Sequence, residues 1–341
     1  MKRITLLLIG LMLLFTIAAC GTSQESGVDL VQGTTTAPAE VVRLEMVCPP
    51  DKTDYLLGER FDPTGLVLNA VMSDGTVAED VDWTPEENPY LGLGTLGVNI
   101  YYGGKAYMQP VTVIHAGNAP EYAASNVPVV ADSPLSGKVY FWLGSSVTLG
   151  ASAMNESMAD FIAQKYACTS IKEAVSGTTL AAYKENSYVE RWNTYLASPD
   201  RAAHLDALIC QLSTNDQKKP ESFGKVTADD VRDPGAFDVE TTFGAMEYII
   251  ATAQKTWGCP VVFYTNPPTG DENYRTLVLG LYEIASKWNV TIIDMNLDLS
   301  FNAQPTEEQR SLWMVDKIHP SRAGYRDWWL PKFEEALLNL E

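Results

Sequence analysis

The stretch of this 341-residue chain most suited to chemistry is "VYFWLGSSVTLG", residues 139–150. Six residues typical of a buried strand end at Gly144, and Ser145 and Ser146 follow directly. A serine at the end of a strand is a candidate nucleophile, but it needs a base to take its proton, and histidine is the usual base. Taken alone, such a serine is as often a helix N-cap. The stretch therefore predicts a nucleophile only if a histidine lies at the same edge.

Three histidines are available, and the predicted elements place them differently. His115 ends a β-rich region in another part of the chain. His204 precedes a predicted strand, which puts it at the edge opposite Ser146. His319, in "DKIHP", follows the last predicted strand, and Asp316 stands three residues before it, a spacing that lets a carboxylate reach Nδ1 and fix the imidazole tautomer. "DKIHP" alone also fits a polar turn, so the joint placement carries the prediction of a Ser–His–Asp set.

Further polar residues follow the other predicted strands, in "SGT" at 176–178, "STND" at 213–216 and "NPP" at 266–268. The carboxyl ends of parallel strands meet at one edge of a sheet, where ligands bind. Ser146, Gly177 and Asn215 are therefore expected together, and they combine a nucleophile with hydrogen-bond donors for an oxyanion.

Residues 138–341 alternate apolar strands with amphipathic helical segments. Strands are predicted at "KVYFWLG", "TSIKEAV", "LDALICQLS", "CPVVFYTN" and "VTIIDM", and helices over 155–166, 239–257, 272–288 and 322–340. Near-continuous apolar strands separated by helices are typical of a parallel sheet covered on both faces. The expected fold class of this part is α/β.

Four sequence blocks, "GSSVTLG", "AVSGTTL", "STND" and "DKIHP", fall in the order and approximate spacing of those of the SGNH (GDSL-type) hydrolases, which the whole C-terminal part resembles. The resemblance implies a flavodoxin-like three-layer parallel sheet. It also implies Ser146 as nucleophile, His319 as base and Asp316 as the carboxylate that orients the base. The backbone N–H groups of Ser146 and Gly177 and the side-chain amide of Asn215 would form the oxyanion hole.

Three positions distinguish the chain from related patterns. Ser145 stands where the family has an Asp before the nucleophile, and Ser213 stands where it has a Gly. Neither change removes an atom from the proposed chemistry. The GxSxG elbow of α/β-hydrolases is not met, because Thr148 occupies the place of its second Gly.

The N-terminus predicts a secreted, lipid-anchored protein. Lys2 and Arg3 precede an apolar run over residues 4–19, which is shorter than the roughly 20 residues that a spanning helix needs. The run ends in "IAAC" and resembles the bacterial lipoprotein signal, which implies that Cys20 is lipidated and holds the protein at the outer face of a membrane. An ordinary secretory signal that happens to end in Cys is the alternative.

Three segments lie between this leader and the α/β part. Residues 21–40 are small and polar and predict a flexible tether. Residues 41–115 contain short alternating runs with Asp-Gly and Gly-Gly turn signals, and they resemble a bacterial immunoglobulin-like domain, a small all-β sandwich. Residues 116–137 carry Pro and Ala without a period and predict a linker to the hydrolase domain at 138–341.

Composition limits the partners. Without Lys2 and Arg3 the chain has 22 basic and 43 acidic residues, a formal net charge of −21, which argues against nucleic acid or anionic lipid as a partner. The remaining cysteines show no CxxC spacing, three histidines leave no metal-binding motif, and no cofactor is predicted.

The expected activity is hydrolysis of a carboxylic ester through an acyl-enzyme. Acetylated extracellular polysaccharide is the favoured substrate for a surface protein, while lipase, lysophospholipase and thioesterase activities occur in similar hydrolases. The alternative from another class is an inactive surface protein that only binds glycan or a partner. The immunoglobulin-like segment is expected to be a spacer, with an adhesin as the other possibility.

Overall fold

The computed structural model describes residues 38–87 and 90–340. The predicted leader, its lipidation residue Cys20 and most of the predicted tether lie outside these residues. Along the described chain an all-β part ends at Ile114, and an α/β part begins at Val139. Among the helices in the described ranges, none combines the length and apolar character needed to cross a membrane.

The all-β part contains eight strands: β1 Val41–Cys48, β2 Asp54–Leu56, β3 Val67–Met72, β4 Val77–Ala78, β5 Thr84–Pro85, β6 Gly97–Tyr102, β7 Lys105–Pro110 and β8 Thr112–Ile114. Antiparallel sheets β1-β3-β4 and β5-β6-β7 share one core with Leu68 and Ile100 at its centre, and β2 pairs in parallel with β8. Gly103 and Gly104 close the β6–β7 hairpin with φ angles of 55° and 76°, as a two-residue Gly-Gly turn requires. The immunoglobulin-like assignment stays a prediction.

The α/β part has a five-stranded sheet: β9 Val139–Gly144, β10 Thr169–Ala174, β11 Ala207–Gln211, β12 Val261–Tyr264 and β13 Thr291–Ile293. The strand order is β10-β9-β11-β12-β13, and every pair is parallel. Its helices are α1 Ser146–Leu149, α2 Met158–Tyr166, α3 Tyr188–Ala197, α4 Thr242–Trp257, α5 Glu272–Trp288, α6 Leu299–Ala303, α7 Glu307–Trp313 and α8 Leu330–Leu338. The predicted parallel α/β architecture is therefore confirmed.

Helices cover both faces of the sheet, because side chains alternate along each strand. From β9, Phe141 and Leu143 enter a core formed with α3, α4 and α5. Tyr140 and Trp142 point to the other face and pack with α2 and α8. This arrangement gives three layers and leaves the strand ends free to carry polar loops.

The helices differ from the predicted ones in two instructive ways. The segment predicted over 322–340 is a π-helix at Gly324–Trp329 followed by α8, and Pro331 lies in the first turn of α8. Proline has no N–H to donate, so the regular α-helical bonding pattern cannot continue through it. The short helices α1, α6 and α7 and the ten-residue α3 were not predicted.

The predicted linker packs on the α/β part, where Asn118 donates to the carbonyl of Ser152 at 2.7 Å.

Candidate active site

The turn that carries the candidate nucleophile is fixed by hydrogen bonds to the side chain of Gln211. Strand β9 ends at Gly144, and Ser146 is the first residue of α1. A Cβ at Gly144 would lie 1.6 Å from the hydroxyl of Thr148, so this turn requires glycine. The side chain of Gln211 is buried. Its amide oxygen, Oε1, accepts hydrogen bonds from the backbone N–H groups of Ser145 and Thr148, at 3.0 and 3.3 Å, and from the hydroxyls of the same two residues. The hydroxyl of Ser145, one of the two departures from the family pattern, is thereby hydrogen-bonded in the buried turn.

The structure brings the three predicted catalytic residues into one chain of hydrogen bonds. Ser146 Oγ lies 2.8 Å from His319 Nε2. His319 Nδ1 lies 2.8 Å from Asp316 Oδ2 and 3.0 Å from Oδ1. The arrangement has the order of a nucleophile, a base and a carboxylate that orients the base.

Asp316 is ionised at neutral pH because its hydrogen bonds favour the charged form. Burial alone raises the pKa of the Asp316 carboxyl. Hydrogen bonds to the carboxylate lower that pKa by more than burial raises it. They come from the backbone N–H of Ile318 at 2.7 Å and from the ring and backbone N–H groups of His319. Its side chain is nevertheless 52% exposed, whereas that of His319 is 23% exposed. The site therefore opens directly onto the surface.

The loop carrying Asp316 and His319 is fixed by contacts that the sequence did not reveal. Met314 and Pro320 form an isolated antiparallel bridge across it, and the N–H of Val315 donates to the carbonyl of His319 at 2.9 Å. Asn266, fully buried after β12, donates its side-chain amide to the carbonyl of Ile318 at 2.7 Å. Asn266 thus anchors the residue next to the base. The only signal for it was its place in "NPP" at the end of a strand.

The other two histidines lie away from this site. His115 is buried, and its Nδ1 accepts the N–H of Gly117 at 3.1 Å. Burial lowers the pKa of His115, partly offset by a hydrogen bond with the backbone of Ser311. His204 precedes β11 at the amino edge of the sheet, is 68% exposed and lies 3.3 Å from Asp206. His319 is the histidine that reaches Ser146.

Two of the three predicted oxyanion donors, Gly177 and Asn215, lie on the loops after β10 and β11, which touch each other. Gly177 has a φ of 76°, and a Cβ there would meet no atom within 4 Å, so the backbone conformation favours glycine. Asn215 donates its side-chain amide to the carbonyl of Thr178 at 2.9 Å. An amide nitrogen carries two hydrogens, so one N–H of Asn215 remains for another acceptor.

Asp216 ties these two loops together and was not given a role from the sequence. It is fully buried and accepts the N–H groups of Leu180 at 2.7 Å and Ala181 at 3.1 Å, and the hydroxyl of Thr242 at 3.1 Å. Burial raises the pKa of its carboxyl, and these hydrogen bonds offset only part of that rise. Asp216 therefore holds the loop of Gly177 against the loop of Asn215.

Cavities of the described part of the chain lie at both edges of the sheet. One of about 640 Å³ lies beside Asp316 and is lined by Pro267, Pro268, Met314 and Lys317 among others. Two more, of about 480 and 470 Å³, open at the amino edge around Pro260 and contain none of the candidate residues. Of these, the cavity beside Asp316 adjoins the chemistry. Within the described ranges, no group of three or more His, Cys, Asp or Glu side chains is placed to hold a metal ion.

The chain is similar to a known protein family and to several solved structures. The profile of the GDSL-like lipase/acylhydrolase family matches residues 142–326, more than half of the chain. Among solved structures the chain is similar to a protein from Lactobacillus plantarum, with 20% identity and a TM-score of 0.46 over 59% of this chain and 96% of that one. A lipolytic protein of the G-D-S-L family from Veillonella parvula has 14% identity and a TM-score of 0.44, with 60% and 100% covered.

A variant of an acetyl xylan esterase from Geobacillus stearothermophilus has 14% identity and a TM-score of 0.40, with 60% of this chain and 96% of that chain covered. No curated protein sequence matches the chain. The family profile assigns the chain, because its match covers more than half of the residues and includes both Ser146 and His319. The chain therefore belongs to the GDSL-like lipase/acylhydrolase family, and its five-stranded parallel sheet is the SGNH hydrolase fold of these ester-hydrolysing enzymes.

Proposed function

We propose that the protein is a cell-surface serine esterase that cleaves carboxylic esters through an acyl-enzyme on Ser146. The observation that carries the proposal is the continuous chain from Ser146 Oγ through His319 to Asp316, with 2.8 Å at each of its two links. Those lengths suit proton transfer from the hydroxyl to the imidazole.

In the acylation step, His319 Nε2 accepts the Ser146 proton while Oγ bonds to the ester carbonyl carbon. The carbonyl oxygen gains negative charge, which the N–H groups of Ser146 and Gly177 and the free N–H of Asn215 stabilise. Collapse of this intermediate breaks the bond to the alcohol, which leaves with the proton from Nε2. Water then repeats the sequence on the acyl-enzyme and regenerates Ser146. Asp316 keeps the proton of the neutral imidazole on Nδ1 throughout.

The proposed substrate is an acetylated carbohydrate. The half-exposed side chain of Asp316 and the partly exposed side chain of His319 support it, because a polymer needs only to present its ester at the sheet edge. The lipoprotein-type leader ending at Cys20 and the immunoglobulin-like segment 41–115 support a place at the bacterial cell surface. In this proposal Cys20 carries the lipid, and the segment 41–115 acts as a spacer.

Hydrolysis of p-nitrophenyl acetate and butyrate tests the proposal, using the soluble form that begins after Cys20 beside Ser146→Ala and His319→Ala. We expect activity in the parent that both variants lose while remaining folded. A folded parent that is inert on both esters would favour the alternative of an inactive binding protein. Faster cleavage as the acyl chain lengthens would favour a lipase-type esterase over a deacetylase.

A further inference from the structure

Arg191, on helix α3, is a buried cation at the carboxyl edge of the sheet, and its side chain is 9% exposed. Its Nη2 donates to the carbonyl of Gly144 at 2.8 Å and to the hydroxyl of Thr178 at 3.3 Å. Its Nη1 donates to the carbonyl of Glu173 at 2.8 Å, and its Nε to the carbonyl of Asn186 at 3.0 Å. One planar guanidinium thus bridges three backbone carbonyls and one side-chain hydroxyl around the site.

Two of these acceptors belong to the segments that carry the oxyanion donors. Gly144 is two residues before Ser146, and its carbonyl also accepts the N–H of Val175 at 3.3 Å. Thr178 follows Gly177 directly. Arg191 therefore fixes the distance between the turn of the nucleophile and the loop of the second donor.

Thr178 extends the link to the third donor. Its hydroxyl accepts from Arg191 and donates to the carbonyl of Val175 at 2.7 Å. Its own carbonyl accepts the side-chain amide of Asn215 at 2.9 Å. The path from Arg191 through Thr178 to Asn215 consists of consecutive hydrogen bonds, so a shift at Arg191 moves both Gly177 and Asn215.

An ion pair does not account for the position of Arg191. Its nearest carboxylate oxygen, Glu173 Oε1, lies 3.4 Å away on a side chain that is 39% exposed, so the attraction is weak. Burying a guanidinium is costly unless acceptors replace its water. Here the acceptors are mainly backbone carbonyls at the strand ends, which a lysine with its single nitrogen cannot span.

We propose that Arg191 is a positioning residue that sets the geometry of the oxyanion donors at Ser146, Gly177 and Asn215. The proposal rests on the proposed esterase function. Arg191 touches no substrate in this role; it acts through the Gly144 carbonyl and through Thr178.

The test is a double-mutant cycle on the full chain in detergent, with p-nitrophenyl acetate as the probe. Arg191→Lys, Asn215→Ala and the double variant are compared by kcat and KM, with thermal unfolding as the folding check. We expect Arg191→Lys to lower kcat about 10- to 100-fold with KM changed less than about threefold, since displaced donors act on the transition state. In the Asn215→Ala background the same substitution should lower kcat by a smaller factor than in the parent, because the displacement of Asn215 no longer contributes to the loss.

Matched control variants show whether a loss of kcat comes from the contacts of Arg191. Arg201→Lys alters an exposed arginine that also donates to a backbone carbonyl, that of Leu196, and should leave kcat unchanged. If Arg191→Lys does not fold, Thr178→Val removes the same link, and it should lose more kcat than Thr178→Ser, which keeps the hydroxyl.

Losses that multiply in the double variant, or a change in KM alone, would overturn the role of Arg191 while leaving the esterase intact. Equal activity of Thr178→Val and Thr178→Ser would do the same. If instead Ser146→Ala keeps the parent rate, the proposed function itself fails, and the role of Arg191 fails with it.

Discussion

Substituting Asp316 by Asn should harm catalysis more than substituting it by Ala. In the parent, Asp316 Oδ1 accepts the N–H groups of Ile318 and His319, and Oδ2 accepts from His319 Nδ1. An Asn that keeps its oxygen on the two backbone donors turns its NH2 group toward Nδ1. The ring then accepts at Nδ1 and carries its proton on Nε2, facing Ser146, where it cannot act as a base.

The size of each loss follows from the geometry. Removing the carboxylate in Asp316→Ala loses its attraction for the imidazolium at 2.8 Å. With an effective dielectric constant of about 40 for a half-exposed pair, that attraction is about 3 kcal/mol, or roughly 10²-fold in kcat. Water can enter beside the truncated side chain and accept the Nδ1 proton, so the right tautomer survives. The wrong tautomer in Asp316→Asn should cost about 10⁴-fold.

The assay is steady-state hydrolysis of p-nitrophenyl acetate at neutral pH by the parent and both variants. Thermal unfolding of each variant shows whether the fold is retained. The reasoning predicts that Asp316→Ala is about 100 times more active than Asp316→Asn. Equal activity of the two variants, or a more active Asn variant, would refute control of the tautomer by Asp316.

Three further substitutions test other parts of the site. Asn215→Ala should lower kcat roughly 10²–10³-fold with little change in KM, because an oxyanion donor acts on the transition state; an unchanged kcat would remove Asn215 from the oxyanion hole. Asn266→Ala leaves the Ile318 carbonyl without its donor, and urea unfolding should show a loss of about 1–3 kcal/mol, whereas an unaltered midpoint would contradict this anchor. Burial raises the pKa of Asp216 above its unfolded value, so the proton is bound more tightly in the folded state. The stability of the parent relative to Asp216→Asn should therefore fall as the pH rises from about 4 through that raised pKa, and a difference independent of pH in urea unfolding would disprove it.

The sequence predicted the sheet and the meeting of Ser146 with His319 because both depend on simple periodicities. Continuous apolar strands such as "VYFWLG" identify a buried parallel sheet, and the end of each strand then lies at a known edge. The helix over 272–288 coincides with α5, since Asp271 caps its start and its apolar positions recur regularly. Gly177 was recognisable by its place after a strand.

Residues that act through backbone groups were not predictable in the same way. Gln211 is the last residue of β11, and the apolar residues before it do not indicate that its side-chain oxygen accepts from Ser145 and Thr148. Helix α3 mixes charged and aromatic residues, and its sequence does not indicate a role for Arg191. Such roles depend on which carbonyls meet across the sheet edge, a long-range property that local patterns do not encode.

The most direct test of the central claim is to locate the covalent adduct formed with a serine-directed fluorophosphonate, by peptide mass spectrometry of the parent and of Ser146→Ala. Peptide fragmentation must assign the adduct to Ser146 or to its neighbour Ser145. Ser145 is fully buried, and its hydroxyl is hydrogen-bonded to Gln211. The mechanism predicts one adduct, on Ser146, that is absent from Ser146→Ala. An adduct on another residue, or ester hydrolysis that continues in the Ser146→Ala variant, would contradict it.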